Sequence, residues 1–183
     1  YKSFILEAKT RGTRPVVMAF GRMNPPTTGH AKLVDKVRQL AQQHNAHHEV
    51  IVSHSQDPKK NPLTQAQKIK HVKRYFPGVN ITGSSKEQPN FLEHAKRLHQ
   101  AGHDHLIVVA GSDRVKEYHK ILHKYNGTHE GALFNFKKIS VVSAGSRDPD
   151  AEGTEGMSAS KMREHAKKGN FSEFRKEIGR AHV

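Results

Sequence analysis

The segment Gly21-Arg22-Met23-Asn24-Pro25-Pro26-Thr27-Thr28-Gly29-His30 lies between an apolar run and a helical pattern. Its residue types suit the handling of phosphate. Gly21 lets the chain leave the apolar run sharply, and the prolines stiffen the loop at little conformational cost. Gly29 allows a ligand to come close to the backbone. His30 falls where the helical pattern begins, and there free N–H groups and the helix dipole favour an anion. An imidazole in that place serves as an electrostatic device rather than as a base. Phosphoryl-type transfer depends on alignment and on stabilising charge at the equatorial oxygens. A ligand-free Pro/Gly-rich connection is the simpler account of the same residues. The surroundings favour chemistry: an apolar run before, a helix after, and a Gly-Arg-x-x-Pro lead-in.

Three further groups bear on the same chemistry. In Gly156-Met157-Ser158-Ala159-Ser160-Lys161-Met162-Arg163, Ser158 and Ser160 can cap a helix and bond a phosphate. Lys161 and Arg163 add charge, and Arg163, one turn inward, can fork onto phosphate oxygens. Alone, this is also how a Ser-capped basic helix reads. Gly111-Ser112-Asp113 follows an apolar run, with Asp113 either a helix N-cap or a contact to a nucleotide. Ser53-His54-Ser55 and Asn61-Pro62-Leu63-Thr64 enclose Lys59 and Lys60, which either meet an acceptor phosphate or form a solvated turn.

These groups need a scaffold that brings them together. Short apolar runs at 15–20, 49–53, 79–82, 106–110 and 138–142 read as strands. Helical spacing covers 30–43, with Leu33, Val34, Val37, Leu40 and Ala41 on one face. Thr64 and Gln67 form a capping-box pattern for a helix to about Tyr75. Asn90 caps a helix to about Gln100 that Gly102 closes. Ser112-Asp113 open a helix to about His123, and residues 158–168 and 171–178 complete the set. Alternating strands and helices predict an α/β, Rossmann-like domain: a five-stranded parallel sheet covered by helices on both faces. That domain spans 14–183, and residues 1–13 form an N-terminal extension. Ligands bind beyond the carboxyl ends of such strands, so loops 21–30, 53–63, 111–114 and 145–160 are expected to converge.

Composition narrows the function classes. The chain has 183 residues, 34% hydrophobic and 26% charged, enough for one domain with a full core. It contains no cysteine, which excludes disulfides and thiolate chemistry. No stretch approaches the roughly 18 apolar residues of a membrane helix, and no signal peptide is visible, so a cytoplasmic location is expected. The net charge of +14 favours anionic partners: nucleotides, polyphosphates or nucleic acid. His44, His47, His48, His94, His99, His103 and His105 lie around helix ends without zinc-site spacing, so they read as solvated caps and no metal site is expected. The acidic loop at 145–156 reads as a mobile lid over the site.

The first and last motifs resemble those of the T/H-x-G-H nucleotidyltransferase superfamily, and the resemblance covers residues 15–178. Its signature is G-x-F-x-P-x-[TH]-x-G-H. The narrower likeness is to archaeal-type nicotinamide-mononucleotide adenylyltransferases, with G-R-[FM]-Q-P-F-H-x-G-H: Gly21, Arg22, Met23, Pro25, Gly29 and His30 match. Thr27 stands in place of the first histidine, as in phosphopantetheine adenylyltransferases. Gly156–Arg163 resembles the family's I-S-[SG]-T-x-[IV]-R, and 53–69 resembles S-x-x-x…N-P-F-T-x-x-x-R-I.

The resemblance implies roles. Thr27 and His30 contact the α-phosphate, and Arg22 holds the triphosphate, making these three the catalytic group. Gly21, Met23, Gly29, Gly111, Asp113, Ser158, Ser160, Lys161 and Arg163 bind the nucleotide. Ser53, Lys60, Asn61 and Pro62 line the acceptor pocket. It further implies ATP and a small phosphorylated acceptor, nicotinamide mononucleotide first among them, with Mg2+ held mainly by the NTP phosphates. A homo-oligomer is expected. Similar proteins are frequent in tailed bacteriophages, which would place the chain in a host cytoplasm or a virion.

A second class of function fits the charge. It is a non-catalytic, basic nucleic-acid-binding or virion-associated module on the same fold. Few aromatics (7%) are available for base stacking. Pyrophosphate release with ATP, set beside salt-titrated DNA binding, separates the two classes.

Overall fold

The computed structural model describes residues 12–23, 26–56, 62–145, 163–164, 166–169 and 172. Strands β1 (Pro15–Gly21), β2 (His47–Val52), β3 (Ile81–Gly83), β4 (His105–Ala110) and β5 (Lys138–Ser143) alternate with helices α1 (Thr28–Gln43), α2 (Gln65–Tyr75), α3 (Phe91–Gln100) and α4 (Val115–Lys124). The five strands form one sheet in the order β3-β2-β1-β4-β5, and every pairing is parallel. This is the α/β, Rossmann-like architecture expected from the alternation of patterns. The order reverses between β1 and β4, which makes their carboxyl ends the switch point where such sheets take ligands.

The central strands β2, β1 and β4 are buried on both faces, and each divides its side chains with period two. Val17 and Ala19 of β1, Val50 and Val52 of β2, and Ile107 and Val109 of β4 pack with Val34, Val37 and Leu40 of α1 and Val72 of α2. Val16 and Met18, Ile51, and Leu106 and Val108 face the other way. They meet Ala95 and Leu98 of α3, Tyr118 and Leu122 of α4, and Phe134 and Phe136. Those two phenylalanines come from the irregular segment between α4 and β5. Asn126 ties it down, donating from Nδ2 to the Phe136 carbonyl at 3.2 Å and accepting from the Phe136 N–H at 2.7 Å.

Local chemistry sets the helix boundaries. Thr64 and Gln67 form the expected capping box, with Thr64 N–H on Gln67 Oε1 at 2.9 Å. Asn90 Oδ1 accepts from Leu92 N–H and Glu93 N–H at 3.0 and 3.1 Å. Gly102, at φ +95°, takes the left-handed conformation that ends α3. Several boundaries differ from expectation: β2 starts at His47 rather than at 49, β3 runs Ile81–Gly83 rather than 79–82, and α4 starts at Val115 rather than at Ser112-Asp113. Gly111 to Arg114 form a turn closed by Arg114 N–H on the Gly111 carbonyl at 2.9 Å. Asp113 therefore does not cap the helix; Arg114 occupies the N-cap position without a side-chain bond.

His44 stands exposed at the C-cap of α1 and His99 lies in the last turn of α3, as expected of caps, but other histidines differ. His47 and His48 open β2, and His105 opens β4 and is buried. His94 is fully buried on α3. Burial is the first cause that pulls His48, His94, His103 and His105 below the ordinary imidazole value. Nearby cations add to it: His47 and Arg38 at His48, Arg97 at His94, and Lys138 and His44 at His105.

Each of these four side chains binds a proton less readily folded than unfolded. Stability is therefore full above the unfolded value of about 6.5 and falls as the pH drops below it. Thermal melts from pH 8 to pH 5 are expected to show a Tm that is flat down to about 6.5 and then declines. A Tm that holds or rises across that lower range would contradict the assignment.

Candidate active site

Three chain segments leave the carboxyl edge of the sheet side by side, from β1, β2 and β4. Gly21 pairs with Val52 and Ala19 with Val109. The β1–β2 ladder runs one step further, as Ser53 N–H donates to the Gly21 carbonyl at 2.9 Å. Arg22, Ser53 and Gly111 each begin a loop at this edge.

The loop after β1 is anchored from below. Met23 holds φ +48°, a left-handed conformation uncommon for a side chain of this size. Its side chain is fully buried in the same cluster as Val17, Val34 and Val37. A methionine expected to contact nucleotide thus serves as the loop's core anchor, and the backbone around it is held in a conformation that packing enforces. Arg22 is exposed, whereas Pro26 and Thr27 are buried.

Thr27 is the N-cap of α1, in extended conformation, and His30 sits at the third helical position. The two close a capping box in which histidine replaces the customary Glu or Gln. Thr27 N–H donates to His30 Nδ1 at 3.0 Å, and Thr27 Oγ1 lies 3.0 Å from the same nitrogen. With Nδ1 accepting, the ring proton belongs on Nε2. The first turn of α1 carries no acidic residue, so nothing from the helix itself answers its positive end. The result is a fixed donor at an electropositive helix start, suited to an oxyanion.

Across the switch point, Gly111 and Asp113 form a compact unit. A Cβ on Gly111 would lie 2.8 Å from Asp113 Oδ1, so a side chain there would push the exposed carboxylate aside. Ser112 N–H reaches the Gly145 carbonyl at 3.4 Å, which ties this turn to the chain after β5.

On the β2 side, Ser53 is buried and its hydroxyl lies 3.0 Å from that of Ser55. Pro62 is exposed just ahead of the Thr64 cap. Lys60 and Asn61 lie outside the described residues, as do Ser158, Ser160 and Lys161. Arg163 is described and half-buried in a helical turn.

Gln65 escaped the sequence reading, and Lys68 entered it only as the match to the arginine of the N-P-F-T-x-x-x-R-I pattern. Lys68 is fully buried, and burial first, then the charge of Arg22, lowers its pKa. Gln65 Nε2 donates to the Ser84 carbonyl at 2.5 Å and the Val52 carbonyl at 3.3 Å, clamping the ends of β2 and β3. The signal for Gln65 was spacing: residues 65, 68, 69 and 72 share the inward stripe of α2.

A parallel sheet of this order, with a histidine-closed cap at the first helix and a Gly-x-Asp turn across the switch point, defines a nucleotidyltransferase-type α/β domain. The chain belongs to the cytidylyltransferase-like family, whose model matches residues 18–165. Among solved structures it is similar to the Plasmodium falciparum nicotinic acid mononucleotide adenylyltransferase complexed with NaAD, at 15% identity and TM-score 0.55, covering 89% of either chain. A Vibrio parahaemolyticus protein assigned as a nicotinate-nucleotide adenylyltransferase gives 12% identity and TM-score 0.53, over 86% of this chain and 89% of that one. A Streptococcus pneumoniae structure described as a macrolide-efflux protein gives 16% identity and TM-score 0.51, over 93% of this chain and 57% of that one. No curated protein sequence matches the chain. At such identities these likenesses establish the fold.

Proposed function

We propose that the chain transfers AMP from ATP to the phosphate of a small acceptor, nicotinamide mononucleotide, forming NAD and releasing pyrophosphate. The Thr27–His30 box carries this reading. It presents a fixed Nε2–H donor at the start of α1, beside the switch point where an NTP would lie. The acceptor phosphate is ionised at neutral pH, so its oxygen attacks the α-phosphorus without a general base. A bond forms between that oxygen and the α-phosphorus, the bond to the bridging oxygen of the β-phosphate breaks, and pyrophosphate leaves. His30 and Arg22 answer the charge that builds on the phosphate oxygens.

Magnesium enters this reading as a partner of the triphosphate. As a hard cation that keeps few protein ligands, it would take most of its ligands from the phosphates.

For the acceptor, the Gly21-Arg22-Met23 lead-in and the Asn61-Pro62-Leu63-Thr64 segment support a pyridine mononucleotide, as do similar structures named for nicotinic acid mononucleotide. Thr27 can donate its hydroxyl to a phosphate oxygen but brings no ring. The test is an acceptor panel at fixed ATP and magnesium: nicotinamide mononucleotide, nicotinic acid mononucleotide, phosphopantetheine, flavin mononucleotide and glycerol 3-phosphate, with products read by mass spectrometry. NAD is the expected product. Exclusive turnover of an acceptor other than a pyridine mononucleotide would retire the acceptor assignment.

Arg163 is assigned to the β- and γ-phosphates. Arg163→Ala is expected to weaken ATP binding roughly tenfold to a hundredfold, the worth of one charged hydrogen bond at about 1.5–3 kcal/mol. Acceptor affinity should change little. Equal ATP affinity in both proteins by calorimetry would remove Arg163 from the site.

A further inference from the structure

Lys68 occupies a core position of α2. It shares the inward stripe with Val72, and it is the largest fully buried side chain among the described residues. Packing alone would place an aliphatic residue there, since burying an ammonium group forfeits its hydration. The compensation comes from backbone: Nζ donates to the Ser55 carbonyl at 2.5 Å and the Ser53 carbonyl at 3.3 Å. Those carbonyls lie beyond the end of the ladder. β2 pairs with β3 only as far as Val52 with Gly83, and the final bond on that side runs from Ser84 N–H to the Val52 carbonyl at 2.9 Å. Past that point, among the described residues, no strand supplies donors for the chain leaving β2, and the carbonyl of buried Ser53 needs one. Lys68 fills that gap from below, while Ser84 Oγ accepts the His54 N–H at 2.6 Å from the side. Between them Ser53 and Ser55 are held with their hydroxyls 3.0 Å apart.

The geometry points to Lys68 as a positioning residue that preforms the Ser53–Ser55 segment as one wall of the acceptor pocket. This rests on the nucleotidyl-transfer reading above. Lys68 acts through two carbonyls rather than by touching substrate. It sits close enough to Arg22 for that charge to depress its own pKa, so the wall it holds lies beside the loop that carries Arg22 and leads to the Thr27–His30 box.

The test compares Lys68→Met and Lys68→Arg with wild type, using whichever acceptor the wild type turns over. Lys68→Met should raise the acceptor KM by about tenfold or more, with kcat and the ATP KM within roughly threefold, because only acceptor binding depends on the wall. Lys68→Arg, still able to donate to both carbonyls, should recover most of the acceptor KM. Amide exchange at His54 should speed up about tenfold in Lys68→Met while the β4 amides stay protected. If Lys68→Met does not fold, Lys68→Gln keeps one donor group and should show an intermediate KM. Wild type that turns over while folded Lys68→Met or Lys68→Gln keeps its acceptor KM would overturn the inference alone. Wild type inert toward every acceptor would overturn the functional reading, and this inference with it.

Discussion

Replacing His30 by alanine is expected to lower kcat by about a hundredfold or more, as losses of fixed donors to transition-state charge do. The substitution removes two things at once. Thr27 N–H loses its acceptor, a capping loss worth about 1 kcal/mol. The site also loses the Nε2–H donor. His30→Glu separates them. A glutamate at this position closes the capping box with Thr27 and complements the helix dipole, so the protein should melt at or above the wild-type temperature. Its carboxylate would repel an incoming phosphate, and turnover should fall at least as far as in His30→Ala. A stable His30→Glu protein with wild-type turnover would show that the cap is structural only.

The largest expected loss of stability comes from the opposite end of the sheet. Glu49 of β2 is buried and takes both guanidinium nitrogens of Arg97, with His47 Nε2 at 3.5 Å from its Oε1. Burial pushes the Glu49 carboxyl up, but the hydrogen bond and charge of Arg97, helped by His47, outweigh it and hold the pKa below the usual value. Arg97→Leu would leave a buried carboxylate with one weak partner, at a cost of about 3–5 kcal/mol. For a domain of this size that is a fall in Tm of roughly 6–20 °C. Without Arg97, burial alone would raise the Glu49 pKa, so acid would relieve the penalty. The gap between variant and wild type should narrow as the pH falls. Adding Glu49→Gln should restore part of the loss, which separates an orphaned charge from lost packing. Melts showing Arg97→Leu within about 1 kcal/mol of wild type at neutral pH would contradict this account.

What the sequence made legible follows from how local each signal is. The continuous apolar runs at 15–20 and 106–110 and the caps at Thr64 and Asn90 are written in neighbouring residues, and each emerged within a residue or two of its expected place. The start of α4 was misread because Ser112-Asp113 is a good cap in isolation. The Gly111 turn, with Asp113 folded over it, decides against that cap.

His94 was misjudged for a different reason. A histidine on an apolar stripe looks like a solvated cap until the Glu49–Arg97 pair beside it is in place. Only tertiary contact reveals that it is buried, with Nδ1 3.3 Å from Arg97 Nη2. Met23 illustrates the converse: a residue inside a binding motif contributes by packing, because the loop above needs something to hold it down.

Pyrophosphate release is the measurement that bears most directly on nucleotidyl transfer. With ATP, magnesium and the preferred acceptor from the panel, wild type should release pyrophosphate in equal amount to an adenylylated acceptor, and His30→Ala should do so at about a hundredth of the rate or less. Release of orthophosphate in its place, or no nucleotide turnover with any acceptor alongside tight salt-dependent DNA binding, would contradict attack at the α-phosphorus and with it the function proposed for this site.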